Sequence, residues 1–136
     1  MRIEPYLDAI ATRAIRDALD VDAPAILRPT QDASHGDYQI NGVLGLAKRL
    51  KANPRELAAK VAETLGAHEA IAAAEVAGPG FVNLRLDDAW LGRVLGDALA
   101  DRERDGVPAV EPAETIVVDF SSPNIAKQMH VGHLRS

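Results

Sequence analysis

The sequence contains no cysteine, which excludes disulfide bonds, thiolate metal sites and cysteine nucleophiles. That absence is compatible with a reducing cytosol. Aromatic residues are scarce, with two Phe, two Tyr and one Trp, so the core is expected to be aliphatic and largely helical. No apolar run approaches the roughly 18 to 20 residues that span a bilayer, and the N-terminus does not resemble a signal peptide. We therefore expect a soluble, cytoplasmic chain with no membrane partner.

Positively charged residues are also few. The 15 Lys and Arg residues are outnumbered by 20 Asp and Glu, which gives a net charge of −5. Proteins that attract nucleic acids over a distance usually carry the opposite sign. Composition alone therefore argues against RNA binding, and any contact with RNA has to be local or depend on basic surfaces elsewhere in a larger protein.

Four segments with apolar residues at helical spacing predict helices. The first runs from Ile3 to about Leu19, and the second follows residues 38–41 and carries Val43 to Leu50. The third begins at Asn53-Pro54-Arg55-Glu56, where an N-cap, a proline at the first helical position and a glutamate at the third coincide. Asp87 or Asp88 is expected to cap the fourth, whose core-facing side comprises Leu91, Val94, Leu95, Ala98 and Leu99.

Three segments predict strands in the same region. Residues 25–28, between two prolines, form a candidate edge strand, and residues 72–77 and 81–86 are joined by the turn Gly78-Pro79-Gly80. The last strand alternates: one set of side chains points into a core, and Phe81, Asn83 and Arg85 point the other way. Residues 1–101 are therefore predicted to form a small α+β domain of helices and antiparallel strands.

A charged linker over residues 102–113 is predicted to separate this domain from a second unit at 114–136. Thr115 to Val118 form a β-branched apolar run, typical of a strand buried on both faces of a parallel sheet. A parallel neighbour requires a crossover of a dozen or more residues, and the chain after Asp119 is too short for one. We expect only the first strand and turn of a truncated Rossmann-type α/β domain.

The residues after that strand suggest a phosphate site. A polar turn and a helix start at the carboxyl end of a buried strand favour phosphate. His130 and His133 share a helix face, and Gly132 allows a ligand to approach the backbone. Two histidines without further ligands are too few for zinc, so no metal site is predicted.

The string His130-Val131-Gly132-His133 resembles the HIGH signature of class I aminoacyl-tRNA synthetases. The surrounding residues, 119–127 and 134–136, are similar to arginyl-tRNA synthetases in particular. The resemblance implies an arginine-tRNA ligase that uses ATP and Mg²⁺ to join arginine to tRNA(Arg). Family members often have Pro or Glu where Gln128 stands. This difference does not change the two histidines of the signature.

The resemblance also implies roles for individual residues. His130, Gly132, His133 and Lys127 would stabilise the phosphates of ATP during adenylate formation. Asp119, Ser122 and Asn124 would contact the arginine substrate, although Ser122 before Pro123 and Asn124 could equally be turn chemistry. No protein nucleophile is needed, because the arginine carboxylate attacks the α-phosphate directly.

Residues 36–41 and 77–83 resemble the N-terminal additional domain of bacterial arginyl-tRNA synthetases. The resemblance implies that this domain reaches the D-loop corner of the tRNA, where an aromatic residue and an asparagine recognise a nucleotide. Phe81, Asn83 and Arg85 are residue types that read unstacked RNA bases. In the competing interpretation, Phe81 packs under a helix and Asn83 merely faces water. Asp37 is expected to cap the helix that follows it.

Other interpretations stay open at this point. The chain could be a free-standing RNA-binding or protein-interaction module, or part of another class I enzyme that shares only the signature. Under the leading interpretation the parent enzyme is monomeric, whereas the 136-residue chain is inactive and binds no cofactor. Its unpaired strand at Ile116 to Val118 is expected to favour self-association. His35 and His68 are interpreted as solvent or turn residues.

Overall fold

The elements follow the order α1 (Ile3–Leu19), β1 (Leu27–Pro29), a 3₁₀ turn (Ala33–His35), β2 (Tyr38–Ile40), α2 (Gly42–Leu50), α3 (Pro54–Gly66), β3 (Ile71–Ala77), β4 (Phe81–Leu86) and α4 (Asp88–Ala100). They are seen in a computed structural model, which describes residues 2–110, 112, 114–117 and 128. The predicted α+β class is confirmed. Within these residues, no helix is long and apolar enough to cross a membrane.

The four strands form one antiparallel sheet in the order β1-β2-β4-β3. The edge position predicted for the first strand is confirmed, although it begins at Leu27 because Ile26 adopts a left-handed conformation with φ 54°. Strand β2 was not predicted. It has only three residues, which is too short for alternation to be distinguished from the turn before it and the helix after it.

One face of the sheet packs against α1, α2 and α3, and α3 contacts both of the other helices. The predicted alternation of β4 is confirmed, because Val82, Leu84 and Leu86 are 0%, 1% and 7% exposed. Ile40 of β2 lies beside Val82 in the same core. Because successive side chains of a strand point to opposite faces, the residues between these core-facing ones lie on the other face of the sheet.

Local hydrogen bonds explain where two of the helices begin. The Asn53 side chain accepts a hydrogen bond from the backbone N–H of Arg55 at 3.0 Å and donates one to Glu56 at 3.1 Å. The Asp87 carboxylate accepts one from the backbone N–H of Trp90 at 2.7 Å. Both predicted helix starts are therefore confirmed, and each cap satisfies a backbone donor that has no partner inside its helix.

Helix α4 is buried only near its start. Trp90 is 4% exposed and stacks on Tyr6 of α1, with ring centroids 5.7 Å apart and an interplanar angle of 16°. Leu95 and Leu99, in contrast, are 60% and 73% exposed, so the prediction that the whole apolar face points into the core is wrong for the second half. Helical spacing shows that a face is apolar but does not show how far a neighbouring element extends along it.

The strand predicted from residue 115 onward is wrong for its described part. Residues 114–117 have no regular structure, and Ile116 and Val117 are 76% and 87% exposed. A strand needs a neighbour for its backbone hydrogen bonds, and no described strand pairs with this segment. Val118 lies outside the described residues.

Two glycines provide a test of this fold. Gly36, immediately before β2, has a φ of +87°, and a Cβ there would lie 2.5 Å from the Leu84 carbonyl oxygen. We expect Gly36→Ala to destabilise the chain by about 2 kcal/mol or more, because it combines backbone strain with a steric clash. The measurement is urea unfolding of the purified chain.

Gly45→Ala is the matched control. Gly45 lies in α2 with nothing within 4 Å of an added Cβ, so alanine should stabilise the chain by about 0.5–1 kcal/mol. Equal effects of the two substitutions would contradict the close approach of Gly36 to β4.

Candidate nucleic-acid interface

Phe81, Asn83 and Arg85 all lie on the sheet face that points away from the core, as the sequence predicted. We call this the outer face. Strand register places eight side chains on it: Arg28, Gln39, Ala73, Glu75, Ala77, Phe81, Asn83 and Arg85. Arg85 is exposed, whereas Phe81 and Asn83 are half-buried.

A row of four polar residues crosses the outer face from one edge of the sheet to the other. Arg28 pairs with Gln39, Gln39 with Asn83, and Asn83 with Glu75. The Gln39 side chain donates a hydrogen bond from Nε2 to Asn83 Oδ1 at 2.8 Å. Sequence reasoning missed Arg28, Gln39 and Glu75, because which residues share a row depends on the register of β2 with β1 and β4 and of β3 with β4.

The Phe81 ring lies against the turn that precedes β4. A Cβ on Gly78 would be 3.4 Å from the ring, and Phe81 is not among the apolar side chains that pack against the core. The alternative in which Phe81 packs under a helix is therefore not supported. The ring lies beside the turn, and Phe81 as a whole is half-buried.

The start of α3 holds this turn in place. The Arg55 guanidinium donates a hydrogen bond to the Gly78 carbonyl at 2.5 Å. Gly80 has a φ of +148°, and a Cβ there would be 2.8 Å from the Cβ of Pro54. Glycine at position 80 therefore allows the backbone to approach Pro54 closely, which positions the beginning of β4 and Phe81.

The outer face is a surface rather than a pocket. A depression of about 60 Å³ beside Asn83 and Arg85 is lined on its other side by the loop residues Ser34, His35 and Gly36. That volume suits a few water molecules, so a larger ligand would have to lie on the surface. A wider cleft of about 590 Å³ lies between the start of α1 and Leu27, and no predicted site residue lines it.

The loop beside this depression has its own internal order. The Asp32 carboxylate accepts a hydrogen bond from the backbone N–H of Ser34 at 2.8 Å. That bond, with further contributions from the Ser34 side chain and the nearby His35, lowers the pKa of Asp32. Asp32 is therefore ionised under ordinary conditions and caps the short 3₁₀ turn.

Asp37 has a structural role, but not the predicted one. Its backbone N–H donates to the Leu84 carbonyl at 2.7 Å, and its carboxylate accepts from the backbone N–H of Leu86 at 2.8 Å. The helix cap expected of Asp37 is wrong, since Asn41 occupies the N-cap of α2. The side chain instead extends the hydrogen bonding between β2 and β4.

Tyr38 points to the core side of the sheet and is half-buried. Burial raises the pKa of its phenol, with smaller contributions from the negative charges of Glu4 and Asp37. Tyr38 is therefore neutral near pH 7 and serves as a packing residue beneath the outer face.

The histidines of this region fit the structural roles expected from the sequence. His35 is exposed in the loop, and His68 accepts a hydrogen bond at Nδ1 from the backbone N–H of Ala70 at 3.2 Å. Within the part of the chain that the structure describes, no three His, Cys, Asp or Glu residues form a group that could hold a metal ion.

The residues predicted for the ATP and arginine sites lie outside the described residues. They are Asp119, Ser122, Asn124, Lys127, His130, Gly132 and His133. Their roles stay predictions. The adjacent Gln128 is described and is exposed.

Two family models match consecutive parts of the chain. The model of the arginyl tRNA synthetase N terminal domain matches residues 6–86, which is more than half of the chain. The chain belongs to the arginyl-tRNA synthetase family. A model of the catalytic domain of class I (R) tRNA synthetases matches residues 95–136. The match to the N-terminal domain thus includes all four strands of the sheet and all of α1 except its first three residues.

Curated relatives agree with this family. The chain is 51% identical over 114 residues to the arginine-tRNA ligase of Hahella chejuensis, which covers 84% of this chain and 20% of that protein. It is 45% identical over 137 residues to the arginine-tRNA ligase of Photobacterium profundum, covering 100% of this chain and 23% of that protein. The chain therefore spans about a fifth of the length of the curated relatives it matches.

Solved arginyl-tRNA synthetases share the architecture. The enzyme from Plasmodium falciparum superposes with a TM-score of 0.73 at 25% identity, covering 98% of this chain and 26% of that one. The enzyme from Thermus thermophilus superposes with a TM-score of 0.58, also at 25% identity, covering 98% of this chain and 21% of that one. The fold of the family is thus present in this chain.

Asp37 offers a test of how the outer face is held. We expect Asp37→Ala to lower the free energy of unfolding by about 1–2 kcal/mol, because the backbone N–H of Leu86 loses its acceptor. Asp37→Asn keeps an acceptor oxygen and should lose less. The comparison requires urea denaturation of the three proteins, and equal stability of Asp37→Ala and the parent chain would contradict the assignment.

Proposed function

We propose that this chain is the N-terminal part of an arginine-tRNA ligase and that its first domain contacts tRNA(Arg) through the outer face. Its division into a domain at 1–101, a linker at 102–113 and the start of a catalytic domain at 114–136 belongs to the same proposal. The observation that carries it is the placement of Phe81, Asn83 and Arg85 side by side on an accessible sheet face in a member of this family.

Each of these side chains supplies a different interaction with an unpaired nucleotide. The accessible part of Phe81 offers a surface for base stacking, and Asn83 offers hydrogen bonds to a base edge. Arg85 and Arg28 are exposed and can neutralise phosphates on either side. Because the face is open, we infer that a D-loop nucleotide lies on it rather than inside a pocket.

The charge balance limits how much affinity this domain contributes. The outer face carries the two exposed arginines but also the exposed Glu75, and the whole chain has a net charge of −5. Salt-dependent, nonspecific affinity for RNA requires several cations near phosphates. The domain is therefore proposed to position a tRNA that is bound mainly by the rest of the enzyme.

The catalytic part of the proposal concerns residues near the C-terminal end. The carboxylate oxygen of arginine attacks the α-phosphorus of ATP, and the bond to the departing pyrophosphate breaks. Lys127, His130 and His133 would stabilise the negative charge on the phosphates, and Gly132 would leave room for them. Asp119, Ser122 and Asn124 would hold arginine, whereas ATP and Mg²⁺ enter as substrates of the complete enzyme.

The remaining parts of the proposal follow from this assignment. The complete enzyme is a cytoplasmic monomer, and the 136-residue chain self-associates through its exposed apolar residues, among them Ile116 and Val117. A free-standing RNA-binding or interaction module is less well supported, because the class I catalytic-domain model matches residues 95–136.

The tRNA contact is tested by Phe81→Ala combined with Asn83→Ala in the full-length synthetase. We expect the KM for tRNA(Arg) to rise about tenfold or more, because stacking and a base-edge hydrogen bond are lost together. The KM for arginine should not change. Steady-state aminoacylation measures both constants.

The control is Lys60→Ala combined with Glu63→Ala, two exposed positions of α3 that are not on the outer face. This pair should leave both constants unchanged. Charging kinetics of the Phe81/Asn83 variant that match those of the parent enzyme would refute the proposed contact.

A further test concerns the isolated chain. We expect the purified 136-residue protein to show no ATP-pyrophosphate exchange with arginine and tRNA(Arg), because it spans about a fifth of the length of its relatives. The full-length enzyme is the positive control in the same assay. Exchange above background by the chain alone would contradict this expectation.

A further inference from the structure

Asn83 could by itself present either of two opposite chemistries. Its carboxamide has an acceptor oxygen at one end and a donor NH₂ at the other, and rotation by a half-turn exchanges them. A freely rotating asparagine would therefore accept hydrogen bonds from some base edges and donate to others. Selectivity for one edge requires a neighbour that fixes the orientation.

Two neighbours, Gln39 and Glu75, fix it together. Gln39 lies directly opposite Asn83 on β2, and its Nε2 donates to Asn83 Oδ1 at 2.8 Å in a partly buried environment. In this orientation Oδ1 faces Gln39, and Nδ2 is the end that is available to a ligand. Among the described residues, Nδ2 has no hydrogen-bond partner.

The other neighbour of Asn83 favours the same orientation. Glu75 of β3 is the cross-strand partner on the opposite side, and its carboxylate can only accept hydrogen bonds. A negative charge on that side attracts the NH₂ end of the amide and repels the oxygen end. Asn83 is thus placed between a donor on β2 and an acceptor on β3.

We propose that Gln39 is a positioning residue, which holds the Asn83 amide so that a donor rather than an acceptor faces the RNA. The inference rests on the proposed contact between the outer face and tRNA. The ligand group it selects is an acceptor atom on the edge of an unpaired base. Fixing the amide before binding also reduces the ordering cost of forming that hydrogen bond.

The main test removes the donor of Gln39 while keeping the side-chain length. In full-length synthetase carrying Gln39→Met, we expect the KM for a tRNA(Arg) transcript to rise about three- to tenfold, the range of one lost or misoriented hydrogen bond. The KM for arginine should stay at the parent value. Gln31→Met is the matched control, because Gln31 is an exposed loop glutamine outside the polar row.

The double variant separates positioning from direct contact. If Gln39 acts through Asn83, then Gln39→Met combined with Asn83→Ala should lose no more than Asn83→Ala alone. Additive losses would mean that Gln39 acts independently of Asn83 and would overturn the inference. Urea unfolding of each purified variant shows whether a change in KM merely follows a loss of folded protein.

A set of transcripts, in which each unpaired D-loop nucleotide is changed in turn, tests the orientation itself. The parent enzyme should prefer one nucleotide at one position, and Gln39→Met should weaken that preference. In Gln39→Glu the carboxylate can only accept, so Asn83 has to donate to it and turn its oxygen outward. The preferred nucleotide should then change, and retention of the parent preference by both variants would overturn the inference.

Failure of the two proposals gives different results. An unchanged KM for tRNA in the variant that combines Phe81→Ala with Asn83→Ala would refute the RNA contact and the role of Gln39 together. A raised KM in Asn83→Ala, with parent-like KM and nucleotide preference in Gln39→Met, would refute only the positioning role.

Discussion

The pairing of β2 with β4 is the interaction on which the rest of this structure depends. The same three-residue register places Ile40 beside Val82 in the core and Gln39 beside Asn83 on the outer face. A shift by one residue would move each of these side chains to the opposite face. The pairing therefore determines both the packing of the domain and the composition of its candidate RNA surface.

Such a short pairing requires support at its ends. Asp37 adds hydrogen bonds to Leu84 and Leu86 beyond the end of β2, and Gly36 allows the loop to approach the β4 backbone. At the other end, Gly42 makes a similarly close approach to Pro24 and Ala25. These contacts explain why the segment from Gly36 to Gly42 is rich in small and polar residues although it lies at the centre of the sheet.

Helix α4 shows how burial against the core can end inside one regular element. Trp90 packs against Tyr6, whereas Leu95 and Leu99 are largely exposed. The match to the class I catalytic domain begins at residue 95, close to where burial ends. Apolar periodicity continues through both halves, so the periodicity alone could not show that only the beginning of the helix is buried.

Local chemistry was readable from the sequence wherever a few neighbouring residues determine it. The capping groups of Asn53 and Asp87 and the alternation of β4 are local patterns, and each was predicted correctly. The family resemblance was likewise carried by contiguous strings of residues. These features do not depend on which distant segments come together.

Only the tertiary structure decided which residues surround Asn83. Gln39 is 44 residues from it in the sequence and becomes its neighbour through strand pairing. The hydrogen bond from Leu86 to Asp37, which replaces the expected helix cap, depends on the same pairing. Strand β2 is too short to show a period, so its register could not be read in advance. The sequence by itself determined which residue types the candidate RNA surface contains, and the antiparallel register decided which of them lie side by side.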